Sequence, residues 1–365
     1  MLLETPRAQV DRARLERNCA RMRGVARRHG VTLRPHVKTA KCAPIAELCV
    51  GDGPRTITVS TLAEADYFVA RGFDDLLYAV GVVPGKLAHL ERLARDGARI
   101  GVLTDDVAVA RALAERPVAL RCWIEIDSGD HRGGVDPGSD ALLELARILD
   151  AAPEVALAGV LTHAGHSYRA RGPEAIADVA EMERATAVEA AERIRATGIE
   201  CPGVSVGSTP TALHARTLEG VTELRAGVYV FCDLFQAAIG ACADDDLALS
   251  VLAAVVSSRD GAAWIDAGAL ALSQDRSLDF AGGGYGRVSR PDGGPLAGAP
   301  RVVAVHQEHG RIEPTSGALD MAELPVGATV RVWPNHACLT AAMYDGYDVL
   351  GPDGAIEARW ERLRG

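Results

Sequence analysis

Lys38 stands in "LRPHVKTAKC" (33–42), where an apolar run ends. A buried ammonium costs several kcal/mol unless it is paired or neutralised. A lysine here is therefore either a surface residue just past a strand or an amine kept for chemistry. Further groups recur at intervals. "EIDSGDHRGG" (125–134) carries Asp127, His131 and Arg132, and "THAGHSY" (162–168) carries His163, His166 and Tyr168. "GSTPT" (207–211) is a small-residue turn in which Gly207, Ser208 and Thr209 offer backbone N–H and hydroxyl donors to a phosphate. Glu223, Arg225 and Tyr229 follow in "VTELRAGVYVF" (221–231). Near the end, "WPNHACLTAAMYD" (333–345) sets His336 and Cys338 two apart, so both point to one side of an extended segment. Imidazole plus thiolate suits zinc, and two protein ligands leave positions open for water or substrate. Each group also has a plain structural explanation: a solvated Arg132, a carbonyl-bonded His163, an ordinary turn, a buried Cys338 beside a structural histidine. Their common placement separates the two readings.

That placement comes from the elements. Residues 11–29 read as a helix stopped by Gly30. Strand-like and helix-like segments then alternate, with strands at 31–37, 56–60, 118–127, 155–163, 203–209 and 221–231 among about eight in all. The strands are continuous and apolar, as buried parallel strands are. An α/β fold results, a TIM-type (β/α)8 barrel over roughly residues 30–240, with a doubly wound open sheet as the alternative. Barrel catalytic groups sit at the C-terminal ends of strands, and every chemical cluster up to Arg225 falls at such an end. From about residue 247, β-like runs are separated by Gly/Pro-rich loops without convincing helices, which reads as a mostly antiparallel β domain. The expected division is 1–245 and 246–365, with the leading stretch to about residue 25 packing on the β domain.

Composition narrows the partners. A net charge of −10 argues against nucleic acid or an anionic membrane, and no stretch of about 18 apolar residues spans a bilayer. The N-terminus lacks a basic segment followed by an apolar one, so no signal peptide is expected. The eight scattered cysteines, none in a C-x-x-C pair, read as reduced thiols of a cytoplasmic protein.

Together these residues resemble the fold-type III pyridoxal-phosphate enzymes, in the group of D-serine dehydratases and D-threonine aldolases and, more distantly, alanine racemase. "RPHVKTAK" resembles the group's cofactor-lysine motif. "EIDSGDHRGGV", "VGSTPT", "ELRAGVYVF", "DAGALALSQD" (266–275), "HQEHG" (306–310) and "PNHACLTAAMYD" match further blocks in order, across nearly the whole chain. The resemblance implies a barrel followed by a β domain, and pyridoxal 5'-phosphate held as a Schiff base on Lys38. Arg132 contacts the cofactor's ring oxygen, Tyr168 lies beside it, Gly207, Ser208 and Thr209 hold its phosphate, and Arg225 joins the cofactor set. His336 and Cys338 bind a divalent metal, zinc first, with manganese or magnesium as alternatives. Family members are commonly homodimers. The implied reaction is loss of water from a β-hydroxy-D-amino acid, as in D-serine dehydratases, yielding a 2-oxo acid and ammonia. Lys38 is the α-proton base, with burial expected to lower its pKa. The alternative is an aldolase acting on D-threonine or D-3-hydroxyaspartate, with His163 or His166 as base. A racemase, a non-catalytic cofactor carrier and a barrel hydrolase using His336 and Cys338 without the cofactor are the remaining options. One departure stands out: the family motif usually continues K-T-H-K, and Ala40 occupies the histidine's place. It bears on the substrate more than on the cofactor.

Overall fold

The computed structural model describes residues 4–364. The chain forms two compact units. One comprises Ala20–Lys38 and Ile45–Gly227; the other takes the residues up to Cys19, Thr39–Pro44 and Val228–Arg364.

The first unit is a parallel barrel of eight strands: β1 (Thr32–Leu33), β2 (Thr56–Val59), β3 (Asp75–Tyr78), β4 (Arg99–Thr104), β5 (Leu120–Glu125), β6 (Val155–Leu161), β7 (Gly203–Val206) and β8 (Glu223–Leu224). They run β1-β8-β7-β6-β5-β4-β3-β2, and a parallel bridge between His36 and Thr58 joins β1 back to β2. The open-sheet alternative is thereby excluded. Helices follow the strands and start where chemistry favours them. The Thr61 hydroxyl accepts from Glu64 N and the Asp106 carboxylate from Val109 N, while Pro84 and Pro173 open the first turns of their helices.

The strands expected at 31–37 and 221–231 are shorter than anticipated. Pro35 lacks an N–H, and the chain beyond Gly227 tightens into a 3₁₀ turn at Val228–Val230. Pairing nonetheless continues past β1 and β8, with Arg34 N donating to Leu224 O (2.9 Å) and His36 N to Ala226 O (2.8 Å).

The barrel interior is layered. Leu77, Leu103, Trp123 and Leu161, from β3 to β6, form one apolar cluster. Two residues earlier on β3 and β5, Asp75 and Arg121 belong to a charged layer. Arg34 donates to Asp75 (2.7 Å) and to Glu223 (2.6 Å), and Arg121 donates to Asp75 (2.6 Å). Ser205 donates to Glu223 (2.7 Å) and accepts from Arg225 Nε (2.8 Å), so the polar chain climbs to the strand ends.

The second unit is a nine-stranded sheet. A strand at Arg7–Asp11, which was not anticipated, joins β9 (Leu249–Arg259), β10 (Ala262–Ile265), β11 (Gly286–Ser289), β12 (Arg301–Val305), β13 (Gly310–Glu313), β14 (Thr329–Pro334), β15 (Gly346–Leu350) and β16 (Ile356–Glu361). Pairing is antiparallel except between Arg7–Asp11 and β15. The order β10-β13-β12-β11-β14-β9 closes on itself through β9–β10, around Val251, Ile265, Val302, Ile312 and Val332. Only short helices interrupt it, among them Ala337–Ala341.

Candidate functional site

At the mouth of the barrel, Lys38 lies two residues beyond His36, where the chain leaves β1 as a turn. Its side chain is exposed, and this corrects the expected burial: the strand ends before it, so solvent reaches the amine. His36 sits deeper. Burial first, then the charges of Lys38 and Arg225, hold its imidazole well below the usual range. Its Nδ1 is shielded from solvent and has no hydrogen-bond partner among the described residues. Orphaned polar atoms of this kind normally find a partner in water or a ligand.

His163 follows β6. Its Nδ1 donates to Gly207 O (2.9 Å), which fixes the Nδ1–H tautomer, since a carbonyl can only accept. Burial, with Lys38, Arg132 and Arg225 adding to it against the Gly207 bond, pushes the ring down to about 3. A nitrogen this reluctant to take a proton is a poor general base near neutrality. Tyr168 lies beside it, ring centroids 6.4 Å apart, on the turn Gly165–Arg169. That turn also carries His166, held below its ordinary pKa chiefly by burial, with neither ring nitrogen partnered among the described residues. The Asp130 side chain, from the loop after β5, packs directly against Gly165 of this turn. Arg132, on that loop, is exposed.

The turn after β7 departs from expectation in its donors. Gly207 N donates to the Glu183 carboxylate (2.9 Å) and Ser208 N to Thr211 Oγ1 (3.0 Å), so both backbone groups expected at a phosphate are engaged within the protein. Gly207 has φ +136, and a Cβ there would stand 2.1 Å from Arg225 O; no other residue fits. Thr209 opens the short helix that Ser208 caps. Arg225 is buried, donating to Ser205 and to Thr162 O, and burial lowers its pKa. Glu183, on the helix Pro173–Arg195, was not anticipated. Its Oε1 accepts from both Ala164 N (3.0 Å) and Gly207 N, tying the two loops together. Nothing in the sequence marked this glutamate apart from its neighbours on a charged helix.

Lys38, Arg132 and Arg225 thus bring cations to the mouth, where Glu125, Asp127 and Asp130 stand beside Arg132 and His163, and burial disfavours the charged form of His36 and His163. The cations and the orphaned His36 nitrogen suit an anionic, phosphate-bearing aromatic cofactor bound through an amine.

The β domain holds the second group. His336 caps the helix Ala337–Ala341 and Cys338 lies in its first turn. The pair is therefore not on an extended segment as expected; the start of a helix, not strand alternation, sets the two side chains near each other, and Cys338 acts on the His336 ring. Asp275 Oδ2 stands 3.3 Å from His336 Nδ1, and Asp233 accepts from Ala337 N at 2.9 Å. Burial opposes a charge on His336. The bonds to Asp275 and Cys338 outweigh it and raise the ring to about 11. The surroundings favour a positive charge, which a metal ion supplies as well as a proton. A carboxylate on the far nitrogen of a ligating histidine is the usual support for such a metal. No cluster of three or more His, Cys, Asp or Glu placed to hold a metal exists among the described residues. Asp275 was missed as a partner, although it ends the quoted block 266–275.

An amine-bearing barrel mouth joined in one chain to a β domain with a histidine–thiol pair defines a fold-type III architecture. The comparisons with known proteins agree: residues 10–234 match the alanine racemase N-terminal domain, and residues 248–350 match the putative serine dehydratase domain. The chain belongs to this alanine racemase-like, serine dehydratase-type family. It is 45% identical to the D-threo-3-hydroxyaspartate dehydratase of Delftia sp., covering 100% of this chain and 98% of that protein. It is 30% identical to the D-serine dehydratase of Dictyostelium discoideum (97% and 95% covered) and 33% identical to the D-threonine aldolase of an Arthrobacter species (98% and 92%). The solved Delftia enzyme superposes with a TM-score of 0.94 at 46% identity, covering 100% of this chain and 98% of that one. Among its solved forms is a cysteine-to-alanine variant in the metal-free form, with a TM-score of 0.95.

Proposed function

We propose that the protein is a pyridoxal-phosphate- and metal-dependent lyase that removes water from β-hydroxy-D-amino acids, giving a 2-oxo acid and ammonia. The observation that carries the reading is the convergence of Lys38, Arg225 and His163 around His36 at the barrel mouth. When bound, the cofactor supplies an electron sink for the substrate Cα, and a divalent metal supplies Lewis acidity toward the β-hydroxyl. Lys38 holds the cofactor and, once its Nζ is released and neutral, takes the α-proton. Arg132 and Tyr168 flank the cofactor. Gly207, Ser208 and Thr209 line its phosphate end. Arg225 presents a fixed cation from below. His163 serves as a neutral wall. His166 is left as the candidate acid–base group on that turn, because less burial weighs on it than on His163.

His336 and Cys338 hold the metal, and a thiolate with an imidazole favours zinc over manganese or magnesium. The similar solved variants support this assignment, since their replaced histidine and cysteine also stand two apart. Identity to the Delftia enzyme makes D-threo-3-hydroxyaspartate the first substrate to try, ahead of D-serine. Ala40, where relatives usually carry histidine, is the residue to probe for that preference. A homodimer and a reducing cytoplasmic setting complete the proposal.

The test is a product assay on D-threo-3-hydroxyaspartate, D-serine and D-threonine, with and without a chelator. The expected result is chelator-sensitive release of 2-oxo acid and ammonia. Glycine and an aldehyde, with no 2-oxo acid from any substrate, would establish the aldolase instead.

A further inference from the structure

Thr39 follows Lys38 directly and has no role in the reading above. It is 1% exposed, and its Oγ1 lies 3.2 Å from Cys338 Sγ. The segment carrying it is held on both sides. Tyr347 donates from its hydroxyl to Ala40 O (2.8 Å), and Leu363 N donates to Lys41 O (2.9 Å). Tyr347 is itself fully buried in β15. The Thr39 hydroxyl therefore meets the sulfur from an anchored backbone, not from a loose side chain.

We propose that Thr39 is a positioning residue for the metal-binding thiolate, its hydroxyl donating a hydrogen bond to Cys338 Sγ. The proposal rests on His336 and Cys338 being the metal pair. A free thiol and a hydroxyl can each donate to the other. A metal-bound thiolate has lost its proton, so the hydroxyl becomes the donor and its own direction is fixed. That bond spreads the sulfur's negative charge and holds Sγ in one rotamer, both of which favour the metal-bound state. Asp275 supports the imidazole through Nδ1, and Thr39 does the equivalent for the sulfur. Each of the two ligands then has its own outer partner. A further consequence is that the residue beside the cofactor lysine also tunes the metal ligand, with one peptide bond separating the two functions.

The test uses the purified holoprotein as wild type, Thr39→Ser, Thr39→Val and Cys338→Ala. Zinc affinity is read by competition with a chromophoric chelator, and the thiolate bond by the charge-transfer band after cobalt substitution. Thr39→Val is expected to bind zinc about 10- to 100-fold more weakly and to shift the cobalt–thiolate band. Thr39→Ser should restore both, because it keeps the hydroxyl, while the visible absorbance of the Lys38-bound cofactor stays in all the Thr39 variants. If Thr39→Val does not fold, Thr39→Ala takes its place in the same comparison. Wild-type zinc affinity and an unshifted band in Thr39→Val, or an equal loss in Thr39→Ser, would overturn the proposal. If the wild-type protein binds no zinc, or Cys338→Ala binds it as tightly, the metal pair itself is wrong, and that outcome is read from different samples.

Discussion

His163 and His336 are the same imidazole in opposite fields. In the barrel, burial and three cations press His163 down to about 3. In the β domain, Asp275 and Cys338 lift His336 to about 11 against its burial. In one unit burial, aided by nearby cations, keeps the rings from taking a proton. The other has gathered anionic donors around a ring and so awaits a cation. The contrast lies in the cause: burial dominates at His163, whereas acidic partners overcome burial at His336.

The comparison breaks most completely at Lys38. Replacing it by alanine removes the amine proposed to hold the cofactor; activity should fall by about 10³-fold or more, with loss of the visible cofactor absorbance in a spectrum of the purified protein. On the other side, His336→Ala or Cys338→Ala should lower metal content, measured by elemental analysis, and reduce turnover by about 10²-fold, leaving the cofactor absorbance in place. A variant that lost both signals together would show that the two fields are not independent. Acid sharpens the contrast. Folded His163 refuses a proton until about pH 3, whereas the unfolded chain accepts one near 6.5. Stability from this group is thus present above about 6.5 and is lost as the pH falls, at about 1.4 kcal/mol per pH unit. His163→Gln should flatten that part of a denaturant-midpoint profile against pH. The smallest effect is expected at the rim, where Arg132 is exposed: Arg132→Ala should raise the His163 pKa modestly, followed by NMR titration, and weaken cofactor binding several-fold, followed by fluorescence.

How much of this was legible follows from what kind of information each feature needs. The barrel was readable because β/α alternation is local, and strand ends such as those before Lys38 and His163 inherit their place from it. His336 and Cys338 were readable as a pair because they are two residues apart, but their geometry was not. A strand and a helix turn both bring such residues together, and only the packing of Ala337–Ala341 decides. Asp275, Thr39 and Glu183 were silent because each acts through a partner brought near by folding: 61 residues away for Asp275 and His336, 299 for Thr39 and Cys338, 24 for Glu183 and Gly207. At the turn of Gly207 the sequence offers N–H donors, but it does not show that Gly207 N and Ser208 N are already bonded within the protein.

The charged layer under the barrel mouth has a consequence for biosynthesis. Arg34 is made early and bonds Asp75 nearby, but its second carboxylate, Glu223, emerges 189 residues later. Until then the guanidinium cannot leave water without stranding part of its charge. β1 also has to wait for β8 to complete its ladder. A nascent chain can therefore assemble its β/α pairs in order, yet it cannot seal the barrel until the last strand clears the ribosome. The ion pairs of Arg34 in the finished enzyme act during synthesis as a latch, open until the eighth strand is delivered.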